Sequence, residues 1–240
     1  MRACPEIKRI LRYTGAILRI GFSAILLLSS CANSRPAPGK TGDEQPAAVD
    51  SEQALRRLER NLASVKTVRT SVTQVKKLAV FSREVTLTGR IFLENPGKLA
   101  WHMDKPLRYS IVIEGATMRQ WDEDTDEIQK TSLTGNPVFK AVSDQLQKWF
   151  SGQYSALKSE YDVEVLRLKP AAMVKFVPKA GSVVAKAMKQ VTVKFQENER
   201  YLSEIAVEGV NGDKTTMVFS DTILNEPIAA DAWEVRPRER

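Results

Sequence analysis

Cysteine and histidine are almost missing from this chain. Its 240 residues include two cysteines, Cys4 and Cys31, and one histidine, His102. Too few thiols are present for a disulfide framework, and too few ligands for a Cys/His zinc site. Any Ser-His-Asp arrangement must use His102, which sits between Trp101 and Met103 in an alternating stretch, and no G-x-S-x-G elbow accompanies it. His102 is therefore read as a residue on the outer face of a strand, and no catalytic residue and no enzymatic activity are expected. An envelope hydrolase would require His102. Long apolar runs are also absent. The stretch from Ile20 to Leu28 falls well short of the roughly 20 residues needed to span a bilayer.

Two motifs come close to ligand sites without completing them. Gly39-Lys40-Thr41 resembles the end of a phosphate-binding loop, but Ser34 stands where the first glycine belongs and no strand precedes it. Asp122-Glu123-Asp124-Thr125-Asp126-Glu127 opens like a calcium loop. It lacks glycine at the sixth position (Glu127) and glutamate at the twelfth (Leu133), so it reads as a solvated hairpin turn. No metal and no cofactor are expected.

The short apolar run gains meaning from its flanks. Arg2, Lys8, Arg9, Arg12 and Arg19 precede or enter it against one acid, Glu6, which is the form of a secretory signal. Leu28-Ser29-Ser30-Cys31 resembles the bacterial lipobox, an aliphatic residue and two small ones before a cysteine. That resemblance implies cleavage before Cys31, a diacylglyceryl group on its sulfur and acylation of the new amine. Two or more chains give a stable membrane anchor where one gives only reversible binding. Ala32 behind the cysteine, in place of aspartate, fits onward sorting to the outer membrane.

Removing residues 1–30 also changes the charge. The formal +7 loses five of 36 basic residues and one of 29 acids, leaving +3, an ordinary balance that gives no reason to expect nucleic acid. Residues 31–50, rich in Pro, Gly, Ala and Ser, read as a disordered tether. Residues 51–240 are long enough for one domain with a substantial core.

That domain opens with a helical pattern from an N-cap at Ser51, through Leu55, Leu58, Leu62, Val65 and Val68. The period then falls to two. Ser71–Leu78, Glu84–Glu94, Lys98–Asp104, Arg108–Glu114, Met118–Glu123 and Glu127–Leu133 alternate, joined by turn clusters such as Asn95-Pro96-Gly97. Asn136-Pro137 suits the start of a second helix, whose stripe is Val138, Phe139, Val142, Leu146, Trp149 and Phe150. Strands resume at Tyr161–Leu168, Met173–Pro178, Gln190–Glu197, Leu202–Val210 and Thr215–Phe219, with a hairpin at Asn211-Gly212-Asp213. The expected fold is mainly β with α: an unclosed antiparallel β-barrel, or curved sheet, covered by a helical lid.

The stretch "ENPGKLAWHMDKPLRYSIVIEGATMRQWDED", with "TGNPVF" and "GDKTTMVFSDTILNEPIAADAWEV", is similar to the LolA family of periplasmic lipoprotein carriers. The resemblance covers most of 51–240. It implies an unclosed barrel with a helical lid that shields acyl chains in a hydrophobic cavity, without catalysis. Leu93, Trp101, Met103, Ile111, Ile113, Phe139, Val142, Leu146 and Trp149 are the candidate wall and lid. Carriers of the family have a lid-latching arginine where this chain has Asn95, and an amide cannot make the charge-assisted bonds of a guanidinium. They are also soluble, whereas Cys31 implies an anchor, more like the outer-membrane receptor partner LolB or a specialised LolA-like lipoprotein serving another lipid. The expected partners are acyl chains of lipoproteins or other envelope lipids, the membrane through the acylated N-terminus, and a carrier or receptor protein. The alternative is an envelope lipoprotein using the same fold as a structural or regulatory protein-binding module.

Overall fold

The computed structural model describes residues 48–79, 84–134, 144–145, 147–167, 169–182 and 184–236, with the backbone alone at 48–50. Cys31 and residues 32–47 of the expected tether lie outside the described residues, and residues 48–50, expected in the tether, belong to a helix.

Helix α1 runs Ala48–Ala63. It starts three residues before Ser51 because Ala48 is a strong helix former and Pro46 precedes it at a distance a helix start accepts. It also ends before the sequence pattern does. The Val65 amide donates to the Leu62 carbonyl at 2.9 Å and closes the last turn. Val68 therefore lies in a strand and not on the helix. The run Val65-Lys66-Thr67-Val68-Arg69-Thr70 is rich in β-branched residues that lose rotamer freedom in helices, and its match to helical spacing is fortuitous.

Eleven strands follow: β1 (Thr67–Lys77), β2 (Glu84–Glu94), β3 (Lys98–Lys105), β4 (Tyr109–Glu114), β5 (Thr117–Asp122), β6 (Ile128–Ser132), β7 (Tyr161–Arg167), β8 (Met173–Pro178), β9 (Met188–Phe195), β10 (Leu202–Gly209) and β11 (Lys214–Leu224). They form one antiparallel sheet in the order β6-β5-β4-β3-β2-β1-β11-β10-β9-β8-β7. Each half is a simple meander, and the β1–β11 ladder from Val68↔Leu224 to Lys77↔Lys214 joins them. β11 extends five residues past the expected end at Phe219. The extension includes a register shift opposite Arg69/Ser71, where Asp221 has φ +51°. Such a bulge resets the alternation and hides the strand from a period-two reading.

Consecutive in sequence, β6 and β7 stand at opposite edges of the sheet. The connection between them includes helical residues at 144–145 and 147–151 (α2) and the short helix α3 (Tyr154–Leu157). Leu55, Leu58 and Leu62 of α1, Trp149 and Phe150 of α2 and Tyr154 of α3 are buried in one core with the inward faces of both sheet halves. Phe150 meets Phe219 of β11 edge-on at 5.8 Å, and Trp149 meets Tyr161 of β7 at 6.2 Å. A Cβ on Gly152 would stand 2.6 Å from the Cβ of Leu62, so only glycine permits this approach of the α2–α3 turn to α1.

The outer face carries a second, smaller cluster. Phe92, Ala100, Val112 and Trp121 project outward from β2–β5 and are covered by Ala232 and Val235 of the C-terminal segment. Five successive residues of β4, Tyr109–Ile113, are therefore buried on both faces. Among the described residues no helix is long and apolar enough to cross a membrane.

β2 and β3 approach most closely at Gly89, where a Cβ would lie 2.0 Å from the His102 carbonyl oxygen and 2.8 Å from Met103 Cα. Backbone cannot yield as a flexible side chain does. Gly89→Ala is expected to destabilise the domain by at least about 2 kcal/mol, measured as a lower urea midpoint at unchanged m-value; an unchanged midpoint would contradict this packing.

Candidate functional site: the inner face of the sheet and its helical cover

The inward row of each strand follows from the pleat, in which alternate side chains share a face. On β3 this row is Leu99, Trp101 and Met103, and the register sets Leu99 opposite Ile113, Trp101 opposite Ile111 and Met103 opposite Tyr109 on β4. Leu93 of β2 lies opposite Leu99. Five of the nine residues picked from the sequence, Leu93, Met103, Ile111, Ile113 and Trp149, are thus brought into one core, each no more than 3% exposed. Trp101 is half-buried against it, its indole N–H directed at Met103 Sδ at 3.0 Å. Phe139, Val142 and Leu146 lie outside the described residues.

The interior holds more than the sequence reading selected. The other half of the sheet contributes Val174 and Phe176 of β8, Val191 and Val193 of β9 and Ile205 of β10, all fully buried. Their alternation is plain in the sequence, so the omission was one of selection and not of missing signal. Tyr109, Tyr154 and Tyr201 lie in the same core, and burial raises each phenol's pKa well above the ordinary value, leaving them neutral. Among the described residues, two buried side-chain polar atoms have no hydrogen-bond partner, Trp149 Nε1 and Gln74 Oε1. Gln74 had no signal beyond its place in an otherwise ordinary alternating strand.

The rim is charged. The Arg57 guanidinium of α1 forms a two-pronged pair with Glu199 in the β9–β10 turn, at 2.7 and 2.8 Å. This lowers the Glu199 pKa and raises that of Arg57. An open cleft of about 720 Å³ lies beside it, lined by Arg57, Lys169, Pro170, Glu197 and Glu199. Four of its five lining residues are charged, and none of them belongs to the apolar interior.

Asn95 occupies a structural tie. Its side-chain amide donates to the Val65 carbonyl at 2.8 Å, and its backbone N–H donates to Lys66 O at 2.8 Å. Asn225 anchors the same junction from the other side, accepting from the Lys66 N–H at 2.7 Å. The β2–β3 turn, the α1–β1 junction and the end of β11 are thereby held together.

His102 is on the outer face, as read from the sequence, yet only 6% exposed because the C-terminal segment covers it. Its Nε2 donates to the Ala232 carbonyl at 2.8 Å, so Nδ1 accepts from the Ser110 hydroxyl, also at 2.8 Å. Arg119 holds the same segment through the Trp233 carbonyl at 3.1 Å, and Lys98 stacks on the Trp233 ring at 5.3 Å. The acidic run 122–127 is the β5–β6 turn, where Asp122 caps the N–H and hydroxyl of Thr125. Among the described residues, no three His, Cys, Asp or Glu side chains are placed to share a metal ion.

These features define a class: an open antiparallel half-barrel whose apolar inner face is covered by helices and not by a second sheet. Residues 63–236 match the family described as Outer membrane lipoprotein carrier protein LolA, and the chain belongs to that family. It is 24% identical over 149 residues to an outer-membrane lipoprotein carrier protein of Coxiella burnetii, a match covering 62% of this chain and 66% of that protein. It is 27% identical over 145 residues to a protein of the same name from Chromohalobacter salexigens, covering 60% and 64%. Both matches span slightly less than two thirds of the relative's length. Among solved structures, a LolA superfamily protein from Nitrosomonas europaea aligns at 10% identity and TM-score 0.37, over 74% of this chain and 94% of that one.

Burial holds the His102 pKa below its ordinary value of 6.5. The unfolded chain then binds a proton that the folded chain refuses, so this group's contribution is complete above about pH 6.5 and is lost as pH falls toward the folded value. Stability from urea titrations should rise between pH 5.5 and 7.5, and His102→Gln should flatten that slope. An unchanged slope in the variant would show that His102 is not its source.

Proposed function

We propose that this chain is a non-catalytic carrier or receptor for acyl-bearing molecules of the bacterial envelope. In this reading it shields acyl chains against the inner face of the sheet, for transfer to or at the outer membrane. One observation carries the reading. β6 and β7 are the two edges of the sheet, and the described helices between them, α2 and α3, cover an inner face made of apolar side chains. Moving that cover breaks no strand ladder, whereas opening a closed barrel or a sandwich would. An acyl chain entering there replaces the apolar contact that the helices give up, at about 0.8 kcal/mol per buried methylene.

The family supports this reading, since the relatives are named as outer-membrane lipoprotein carriers. The candidate wall and lid are Leu93, Trp101, Met103, Ile111, Ile113, Phe139, Val142, Leu146 and Trp149. Asn95 takes the position of the family's latch arginine, and its neutral tie to Val65 makes a cover that opens without breaking an ion pair there. We further propose that residues 1–30 are a signal, that acylated Cys31 anchors the chain on the periplasmic side of the outer membrane, and that residues 31–50 act chiefly as the tether. An anchored chain receives cargo from, or passes it to, a soluble carrier or receptor partner.

The four tryptophans provide a test. Trp101 and Trp149 belong to the interior, Trp121 and Trp233 to the outer face. A brominated acyl probe should quench the fluorescence of Trp121→Phe/Trp233→Phe, which keeps the interior pair, saturably and at about one probe per chain. Quenching confined to Trp101→Phe/Trp149→Phe, or none in either variant, would refute carriage in the interior.

A further inference from the structure

The inward row of β1 does not stay apolar to its end. It runs Val68, Thr70, Val72, Gln74 and Lys76: Val68 and Val72 lie in the core, and Thr70, buried opposite Ile91, is satisfied by the Ser220 carbonyl and the Thr222 hydroxyl. Gln74 lies opposite Leu87 on β2 and Met217 on β11, both buried in the main core. It is 5% exposed, and its Oε1 has no hydrogen-bond partner. Lys76 lies opposite Val85, which packs against the same core, and opposite Thr215. It is half-buried, and among the described residues no carboxylate lies within ion-pair distance of it. The nearby ion pair, Lys77 with Glu84 at 3.7 Å, is on the other face of the strands.

Each of these groups is costly where it stands. A buried amide oxygen without a donor forfeits its hydration, and a partly desolvated ammonium without an anion does so more severely. Burial lowers the Lys76 pKa accordingly. Native interiors seldom keep two such groups, about 6.7 Å apart on one strand face, unless a third party satisfies them. Their place is specific too. They lie toward the C-terminal end of β1, while Val68 and Val72, with the hydrogen-bonded Thr70 between them, lie toward the α1 junction. The unpaired and cationic groups are thus confined to one end of a face that is otherwise apolar or satisfied.

We propose that Gln74 and Lys76 form an internal subsite for the anionic headgroup, phosphate or carboxylate, of an acyl-bearing molecule. Lys76 pairs with the anion, Gln74 accepts from a neighbouring hydroxyl or amide N–H of the same headgroup, and the acyl chain runs along the apolar row. This rests on the carrier reading above and adds to it a preference for headgroup charge.

Native mass spectrometry of the full chain in a non-ionic detergent tests the assignment, with lysophosphatidylglycerol and lysophosphatidylcholine of equal acyl length as probes. The wild-type chain should bind the anionic lipid about tenfold more tightly, the scale of one charge-assisted contact. Lys76→Met should bring the ratio near one without weakening the zwitterionic lipid, and Lys76→Arg should restore it. Circular dichroism of each variant verifies the fold. Equal binding of both lipids by the wild type, or an unchanged ratio in Lys76→Met, would overturn the subsite and leave the carrier reading intact. Failure to bind either lipid would overturn both. Inorganic phosphate bound at Lys76 as tightly as the lysolipid would overturn the lipid assignment.

Discussion

Everything in this fold depends on the ladder between β1 and β11. Each meander alone is a set of hairpins with free edges and an uncovered apolar face. Joining the first strand to the last makes them one sheet, and the joint is a long-range contact: Thr70 Oγ1 meets Thr222 Oγ1 at 2.8 Å across 152 positions of sequence. Asn225 then fastens the end of β11 to the α1–β1 junction through the Lys66 N–H. With the two chain ends of the sheet in its middle, its edges are β6 and β7, and the described helices of the segment between them, α2 and α3, lie against the inner face. The proposed carrier role follows from what that helical cover can do.

The two faces divide the labour. Outside, the C-terminal segment is held by directed contacts: a histidine and an arginine on backbone carbonyls, and a lysine on an indole ring. Inside, the cover meets the sheet through apolar packing and aromatic edges such as Phe150 against Phe219, and a few directed bonds fasten it, Tyr161 to Gln145 and Arg57 to Glu199 among them. Directed bonds specify one geometry, whereas apolar contacts are replaceable by any apolar surface of similar shape. An interior of this kind is suited to exchanging a helix face for an acyl chain, and the outer clamp keeps the sheet in shape while it does so.

Much of this was legible in the sequence, and the misses have physical causes. The sequence spans of β2 and β8 agree with the structure to the residue, because turn signals such as Asn95-Pro96-Gly97 bound them and one face of each stays apolar. Val68 was assigned to the helix because a spacing of three or four is compatible with both elements at a junction. The end of β11 was missed because a bulge at Asp221 resets the period. His102 was placed on the outer face correctly, but its burial depends on Ala232, 130 positions away, and no local pattern reports that. The candidate wall was drawn from β2–β4 and α2, where resemblance and large side chains drew attention. The equally buried rows of β8 and β9 were passed over.

By itself the sequence determined the period of each segment, hence which side chains share a face, and an inventory with a single histidine and two cysteines. These are local properties, set by the pleat of a strand, the pitch of a helix and the residue inventory. Only the tertiary structure decided that β1 pairs with β11 and what covers each face, since contacts such as Thr70 with Thr222 and His102 with Ala232 close loops of more than a hundred residues and leave no mark on local composition. It alone singled out Gln74 and Lys76, which in sequence are ordinary polar residues of an alternating strand. Their burial is a property of what β2 and β11 place beside them.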